Sequence, residues 1–471
     1  MVFNSFVFAV FLPIVLLVYY RLSHRAQNAW LLAAGLLFYG WWDWRFLGLL
    51  GITTVLDFVS SNQIDRAIDP KVRRRWLLAS LTGNLVILGF FKYFNFFVDS
   101  AVGVLGALGV EAHAPALRIL LPIGVSFYTF QEMAYTIDVY RRDLKPSRSL
   151  LNFALFVCYF PQLVAGPIQR ARDLLPQIEQ PRRVTGEQVR AGVQLIFIGL
   201  FKKVVVADAL APMADAHFNQ PSAFSGASLL LGLYLFAIQI YCDFSGYTDI
   251  ARGVSKLLGI ELAINFRQPY FATSITEFWR RWHISLSSWL RDYLYIPLGG
   301  NRGTTVQTYR NLLLTMLLGG LWHGASWTFI VWGGLHGLYL AVHKRMTSRR
   351  AGPVASSPAV LVLKGLATFH LVCLTWIFFR ADRFADAWTF LAGIVSWAPG
   401  EFFFGAFDLA RIGVLVVCLL IIDISLEATH APWPRWKESA AFRGLAYGAA
   451  MLVWLAFGGV DANVPFIYFQ F

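Results

Sequence analysis

The stretch GGLWHGASW, residues 319–327, places a histidine in the middle of an apolar run. Leu312, Leu313, Leu314, Met316, Leu317 and Leu318 precede it, and Phe329, Ile330, Val331 and Trp332 follow. An ionisable side chain in such surroundings is costly and marks chemistry by default. A neutral imidazole accepts a proton near neutral pH, so His323 is a candidate general base. Trp322, Gly324 and Trp327 would leave room beside the ring and wall it. A core histidine bonded to a backbone carbonyl accounts for the same residues equally well.

A second group lies in SITEFWRRWHISLSSWLRDYLYIPLGGNR, residues 274–302. Ser274 and Glu277 have capping-box spacing. Phe278, Trp279, Trp282, Leu286, Trp289, Leu290, Tyr293 and Leu294 recur at helical intervals. The pattern predicts one amphipathic helix with Arg280, Arg281, His283, Ser287, Arg291 and Asp292 on its polar side, ending at Gly299, Gly300 and Asn301. Such a helix lies at the cytoplasmic interface. Alternatively it is re-entrant, turning arginines towards a phosphate-bearing ligand and His283 towards His323. In YCDFSGYTDIARG, residues 241–253, Asp243 and Asp249 point to different helix faces. Packing is favoured there over a shared metal, and no metal site is expected. HExxH, GxSxG and Walker patterns do not occur. Most other histidines fall at loops or helix ends; His336 is the exception.

The elements that must position these residues are membrane helices. Of 471 residues, 57% are hydrophobic and 14% charged, against about 25% charged in soluble domains. The fold class is all-α and polytopic. The net charge of +13 sits mainly in short loops, where the positive-inside rule explains it, and no nucleic-acid partner is expected. Spans are expected near 3–20, 28–43, 46–63, 77–97, 118–138, 193–211, 227–250, 359–379, 410–426 and 443–460. Basic loops put the N-terminus on the non-cytoplasmic side. The N-terminal run has no basic leader and no small-residue cleavage site, so it reads as a retained helix. The run 150–168 has basic flanks on both sides and reads as a re-entrant hairpin broken at Pro161, Gly166 and Pro167. The run 311–343 reads as two short helices meeting at depth, with Gly319, Gly320 and Gly324 at the break. Residues 353–358 read as a linker and 384–408 as interfacial or membrane-dipping. Cys158, Cys242, Cys373 and Cys418 form no CxxC pair and read as small buried residues. No internal repeat is visible, so the inverted halves common in transporters lack support.

The stretches LPIGVSFYTFQEMAYTIDVYR, FPQLVAGPIQR, YCDFSGYTDIARG, RNLLLTMLLGGLWHGASW and the 274–302 segment resemble the membrane-bound O-acyltransferase (MBOAT) family. Within it the chain resembles the subgroup that O-acetylates bacterial alginate, whose opening MVFNSFVFAVFLPI also matches. The likeness runs from the first residues to about residue 345 and more loosely beyond. The apolar segments count about nine to eleven transmembrane helices, with re-entrant and interfacial ones, and the resemblance implies an MBOAT fold in which they surround a central funnel. It implies a single membrane-embedded domain over 1–471, with core motifs in 118–345 and C-terminal helices in 359–460.

The resemblance also implies that His323 is the catalytic residue and that His283 holds the second motif position. The implied donor is cytosolic acetyl-CoA, with no bound cofactor. Its acetyl group would cross the inner membrane to periplasmic acetyltransferase partner proteins and end on an exported polysaccharide, alginate or cellulose-like. His323 would deprotonate the acceptor hydroxyl, with a covalent acetyl-histidine as the alternative, and His283 would orient the donor. Trp322, Trp327, Arg280, Arg281, Asn301 and Arg302 are the substrate-binding candidates. Asn301, Arg302 and the amides near Gly324 are candidates for polarising the carbonyl. Membrane lipids are the other expected partners. Two competing readings remain: a transporter or flippase whose transport survives loss of His323, and an acyltransferase with another acceptor, such as a teichoic-acid D-alanylation component.

Overall fold

The computed structural model describes residues 1–111, 118–348, 357–429, 440–457 and 466–467. Their regular secondary structure is helical, apart from one isolated bridge between Phe224 and Glu401. In chain order the helices are α1 Phe6–Tyr19, α2 His24–Gly40, α3 Phe46–Arg66, α4 Pro70–Leu88, α5 Phe94–Ala107, α6 Val125–Arg141, α7 Leu150–Cys158, α8 Phe160–Leu163, α9 Ala171–Glu179 and α10 Gly186–Leu200. Then follow α11 Asp208–Asn219, α12 Gly226–Leu257, α13 Ile275–Arg281, α14 Ile284–Leu290, α15 Thr305–His323, α16 Trp327–Ser348, α17 Pro358–Arg380, α18 Phe384–Val395, α19 Ala406–Thr429 and α20 Ala440–Phe457. The chain clusters into two compact units, Met1–Ile196 with Thr248–Ala263, and Phe197–Tyr247 with Ile264–Phe471. The core motifs of 118–345 are shared between them.

Among the described residues, four helical runs are long and apolar enough to cross a membrane: Pro70–Ala107, Gly226–Leu257, Pro358–Arg380 and Ala406–Ala428. The other expected spans are shorter or more polar. Helix α1 has 14 residues, and α3 carries buried Thr53, Thr54, Asp57, Ser60, Ser61 and Asn62. The fourth span is longer than expected because a π-helical turn, Gly89–Tyr93, joins α4 to α5 without a break. Residues 112–117 and 349–356, which include 353–356 of the expected linker, lie outside the described residues; Ser357 caps α17 through the Val360 amide. The last expected span, 443–460, coincides with α20 as far as Phe457, and its residues 458–460 also lie outside them. Helix α18, with 12 residues, is too short to cross, in keeping with an interfacial place for 384–408.

In the first unit the 150–168 run is buried and interrupted as its Pro and Gly content predicts. Helix α7 ends at Cys158, Tyr159 turns the chain, and Pro161 stands in the first turn of α8. Gln131 and Gln162 donate to the Phe156 carbonyl at 2.8 and 2.6 Å, which satisfies an acceptor left open by the break.

The second unit is built around the α15–α16 hairpin. These helices have 19 and 22 residues, close to the roughly 20 that a span requires. They are not the two short pieces expected, because α15 starts at Thr305 and α16 runs to Ser348. The break falls at Gly324–Ser326. Gly319 and Gly320 lie inside α15, where they serve packing. A methyl group on Gly320 would meet the Phe329 carbonyl at 2.2 Å, and one on Gly333 would meet the Met316 carbonyl at 2.2 Å. Small residues facing each other let two helix backbones touch, as they do where lipid gives no hydrophobic drive.

Candidate active site

His323 is the last residue of α15 and is buried. Its ring is enclosed by Trp322 (5.1 Å between ring centroids), Trp332 (5.0 Å) and Phe379 (5.5 Å), all at steep angles. The walls therefore come from α15, α16 and α17. Gly324 has an extended backbone, so its role is space: a methyl group there would sit 2.1 Å from the Phe329 ring. Trp327 does not wall the imidazole. It lies 60% exposed on the first turn of α16, and Trp332 takes that place.

His283 stands at a kink. The predicted single amphipathic helix is two short helices, α13 and α14, and His283 between them has φ 43° and ψ 54°, the left-handed region. A non-glycine residue there costs on the order of 1 kcal/mol. Strain of this kind persists where surrounding structure enforces it. Here the enforcement is Asn265, fully buried in the loop before α13. Its Oδ1 accepts from His283 Nδ1 (3.2 Å), from the Ser285 amide (3.1 Å) and from the Ser285 hydroxyl (2.9 Å). With Nδ1 donating, the neutral ring carries its lone pair on Nε2. The His283 ring lies 6.2 Å from that of His323 and 4.7 Å from that of Phe244. The first part of the 274–302 segment is interior to its unit, with Phe278, Trp282 and His283 buried, whereas Arg291, Ile296, Asn301 and Arg302 are exposed.

The Ser274 hydroxyl accepts from the Glu277 amide, but the Glu277 carboxylate turns to the Thr273 amide and hydroxyl, so the capping box is half formed. From there α13 runs along α16. Thr276 pairs with His343 (2.9 Å), and Trp279 donates to His336 Nδ1 (3.3 Å). His336 Nε2 meets the Thr375 hydroxyl (3.0 Å), so both its nitrogens are engaged in packing. His370, expected near a helix end, lies mid-way along α17, with Nδ1 donating to the Leu366 carbonyl and Nε2 accepting from Tyr234.

The remaining candidates are not brought to the imidazoles. Arg281 is paired with Glu277 and Glu427, each at 2.8 Å, and Arg280 is exposed. Asn301 is exposed, and its Oδ1 accepts from the Tyr295 hydroxyl (2.6 Å) and from Lys344 Nζ. Arg302 is exposed beside it. Both lie in the loop before α15, which packs back against it: the Gly300 carbonyl accepts from Asn311 at 3.2 Å, a residue about 18 Å along the helix from His323 at 1.5 Å per residue. They cannot polarise a carbonyl bound there. Asp243 is held by Lys203 (2.8 Å), which also holds Asp208 (2.7 Å), and accepts from the Ile467 amide (2.7 Å). Asp249 pairs with Arg252 at 3.5 Å. Among the described residues no group of three His, Cys, Asp or Glu could hold a metal. All four cysteines carry free thiols.

Asn265, Trp332 and Phe379 are the site residues that sequence reading missed. Trp332 sits nine positions beyond His323 in an apolar run and was indistinguishable there from core. Asn265 offered one signal, a polar residue in an aromatic loop, which spacing alone could not connect to His283.

Residues 137–381 match the profile of MBOAT, the membrane-bound O-acyltransferase family. A Probable alginate O-acetylase AlgI from Azotobacter vinelandii is 45% identical over 432 residues, covering 91% of this chain and 85% of its own. The Peptidoglycan O-acetyltransferase of Helicobacter pylori is 38% identical, over 84% of this chain and 80% of its own. The Teichoic acid D-alanyltransferase of Bacillus subtilis is 28% identical, over 58% of this chain and 72% of its own.

Proposed function

Because the chain belongs to the membrane-bound O-acyltransferase family, a multi-pass membrane enzyme of O-acyl transfer, we propose that it acetylates an exported polysaccharide, alginate or cellulose-like. The donor is cytosolic acetyl-CoA. The acetyl group crosses the inner membrane, with the N-terminus on the periplasmic side, and reaches periplasmic acetyltransferase partner proteins.

His323 is the base of this reaction. Its imidazole takes the proton of the acceptor hydroxyl as that oxygen bonds to the thioester carbonyl carbon. The carbonyl electrons move onto oxygen and return as the carbon–sulfur bond breaks. The proton then passes from the imidazolium to the departing thiolate, so the imidazole leaves the cycle neutral. His283, held by Asn265, orients the reactants. The observation that carries this reading is the meeting of His323 and His283 inside one aromatic enclosure. The test is the O-acetyl content of the host exopolysaccharide with the gene deleted, restored, and restored as H323A. Unchanged acetylation after deletion would overturn the proposal.

A further inference from the structure

In the first unit α3, α4 and α6 pack on one another around a polar interior. Asp57 on α3 is fully buried and accepts from Ser80, from Asn84 (2.7 Å) and from Thr136 (3.0 Å). Glu132 on α6 is also fully buried, and neither of its oxygens receives a hydrogen bond. Its face of α6 meets the Asp57 face of α3, because Thr136, one turn after Glu132, donates to Asp57, and Thr54 lies one turn before Asp57. The Thr54 hydroxyl, itself 4% exposed, makes no hydrogen bond either. Nor does the buried Thr129 hydroxyl, one turn before Glu132 on the same helix face.

Two buried carboxylates that feel each other cannot both stay charged without a compensating positive charge. The described side chains do not provide one. The other titratable groups that sense the pair are Tyr128 and Cys158 at Glu132, and Tyr135 at Asp57. Lys92 donates to Ser126 (3.3 Å) and Arg73 to the Tyr140 carbonyl (2.7 Å). The donor atoms are all oxygen, the set a hard cation prefers. A divalent ion would need more anionic oxygen than the one open carboxylate of Glu132 supplies, because three hydrogen bonds already occupy Asp57.

We propose that Glu132, with Asp57 behind it and Thr54 beside it, binds one small monovalent cation, H⁺ or Na⁺, inside this helix group. The site is separate from the acyl-transfer chemistry and does not depend on it.

The test is thermal unfolding of the full-length protein in detergent, wild type against E132Q, which keeps the shape and removes the charge. In one arm Na⁺ replaces choline at fixed neutral pH. In the other, Na⁺ is absent and pH runs from weakly acidic to weakly alkaline. A saturable rise of about 3 °C with Na⁺, absent in E132Q, identifies Na⁺. No Na⁺ effect, with the wild type losing stability relative to E132Q as pH rises, identifies the proton. Identical responses of wild type and E132Q in both arms overturn the proposal. Should E132Q not fold, infrared spectra of the wild type decide. A buried carboxylic-acid band that alkali or Na⁺ removes supports the site, and lack of such a band together with no Na⁺ response overturns it.

Discussion

The rings of His283 and His323 lie 6.2 Å apart, centroid to centroid, inclined at 64°. One is held at the kink between two short helices and the other at the end of a long one. Neither position is set by its own helix alone: Asn265 fixes the first, and Trp332 and Phe379 confine the second. This pairing requires different consequences for the two histidines and their supports.

Removing the base is the most direct case. H323A should lower acyl transfer by at least about 100-fold, the usual contribution of a positioned proton acceptor. The variant should still insert, because the ring touches aromatic walls contributed by helices that also pack on each other. Acetylation normalised to membrane protein level is the readout, and activity within tenfold of wild type would exclude a base role.

Asn265 acts only through His283 and Ser285, so its variants separate positioning from folding. N265A should reduce kcat by about 10- to 100-fold, the range seen when a support behind a functional histidine is lost, with KM for the acetyl donor little changed. N265D keeps an oxygen that can accept from the same three donors and should recover part of kcat. Equal loss in both variants, with lowered thermal stability, would reduce Asn265 to a structural residue.

The chemistry was more legible in the sequence than its setting. His323 stood out because ionisable residues in apolar segments are rare, and His283 because the family motif it resembles has its second position there. The half-span at 150–168 was readable because Pro and Gly break helices locally. The kink at His283 was not, since an unbroken apolar period ran from Phe278 to Leu294 and tertiary bonds to Asn265 overrode it. Trp327 and Trp332 looked alike in the sequence, and only the direction of α16 decides which faces the imidazole. Glycines 319, 320 and 324 looked like one break, but Gly320 forms a helix contact with Gly333 across the hairpin, and Gly319 faces the Leu290 side chain.

That contact gives a stability prediction. G333A would push a methyl group to 2.2 Å from the Met316 carbonyl, against backbone that cannot swing away. It should destabilise by about 1–3 kcal/mol. G334A, one residue on, meets only the Leu317 side chain at 3.5 Å and should be neutral, or stabilising by about 0.4–1 kcal/mol as Ala replaces Gly in a helix. Thermal unfolding of both variants in the same detergent checks the pair. Equal melting temperatures would mean that the hairpin does not rely on close backbone approach.

The loop before α15 supplies the last case, because geometry there opposes the sequence expectation. Asn301 and Arg302 are exposed in a loop that packs beside Asn311, about 18 Å along α15 from His323. A residue that stabilised the developing oxyanion would cost about 100- to 1,000-fold in kcat when removed. N301A and R302A should instead leave kcat within about twofold, since neither side chain can reach a carbonyl beside the imidazole, and such effects scale with contact at the reacting atom. An effect on KM for the acetyl donor is compatible with their position, because an exposed arginine can attract an anionic substrate from solution. Initial rates over a range of donor concentrations separate these outcomes. A large fall in kcat with unchanged KM would show that the loop reaches the reacting carbonyl and that the helix does not hold the two apart during turnover.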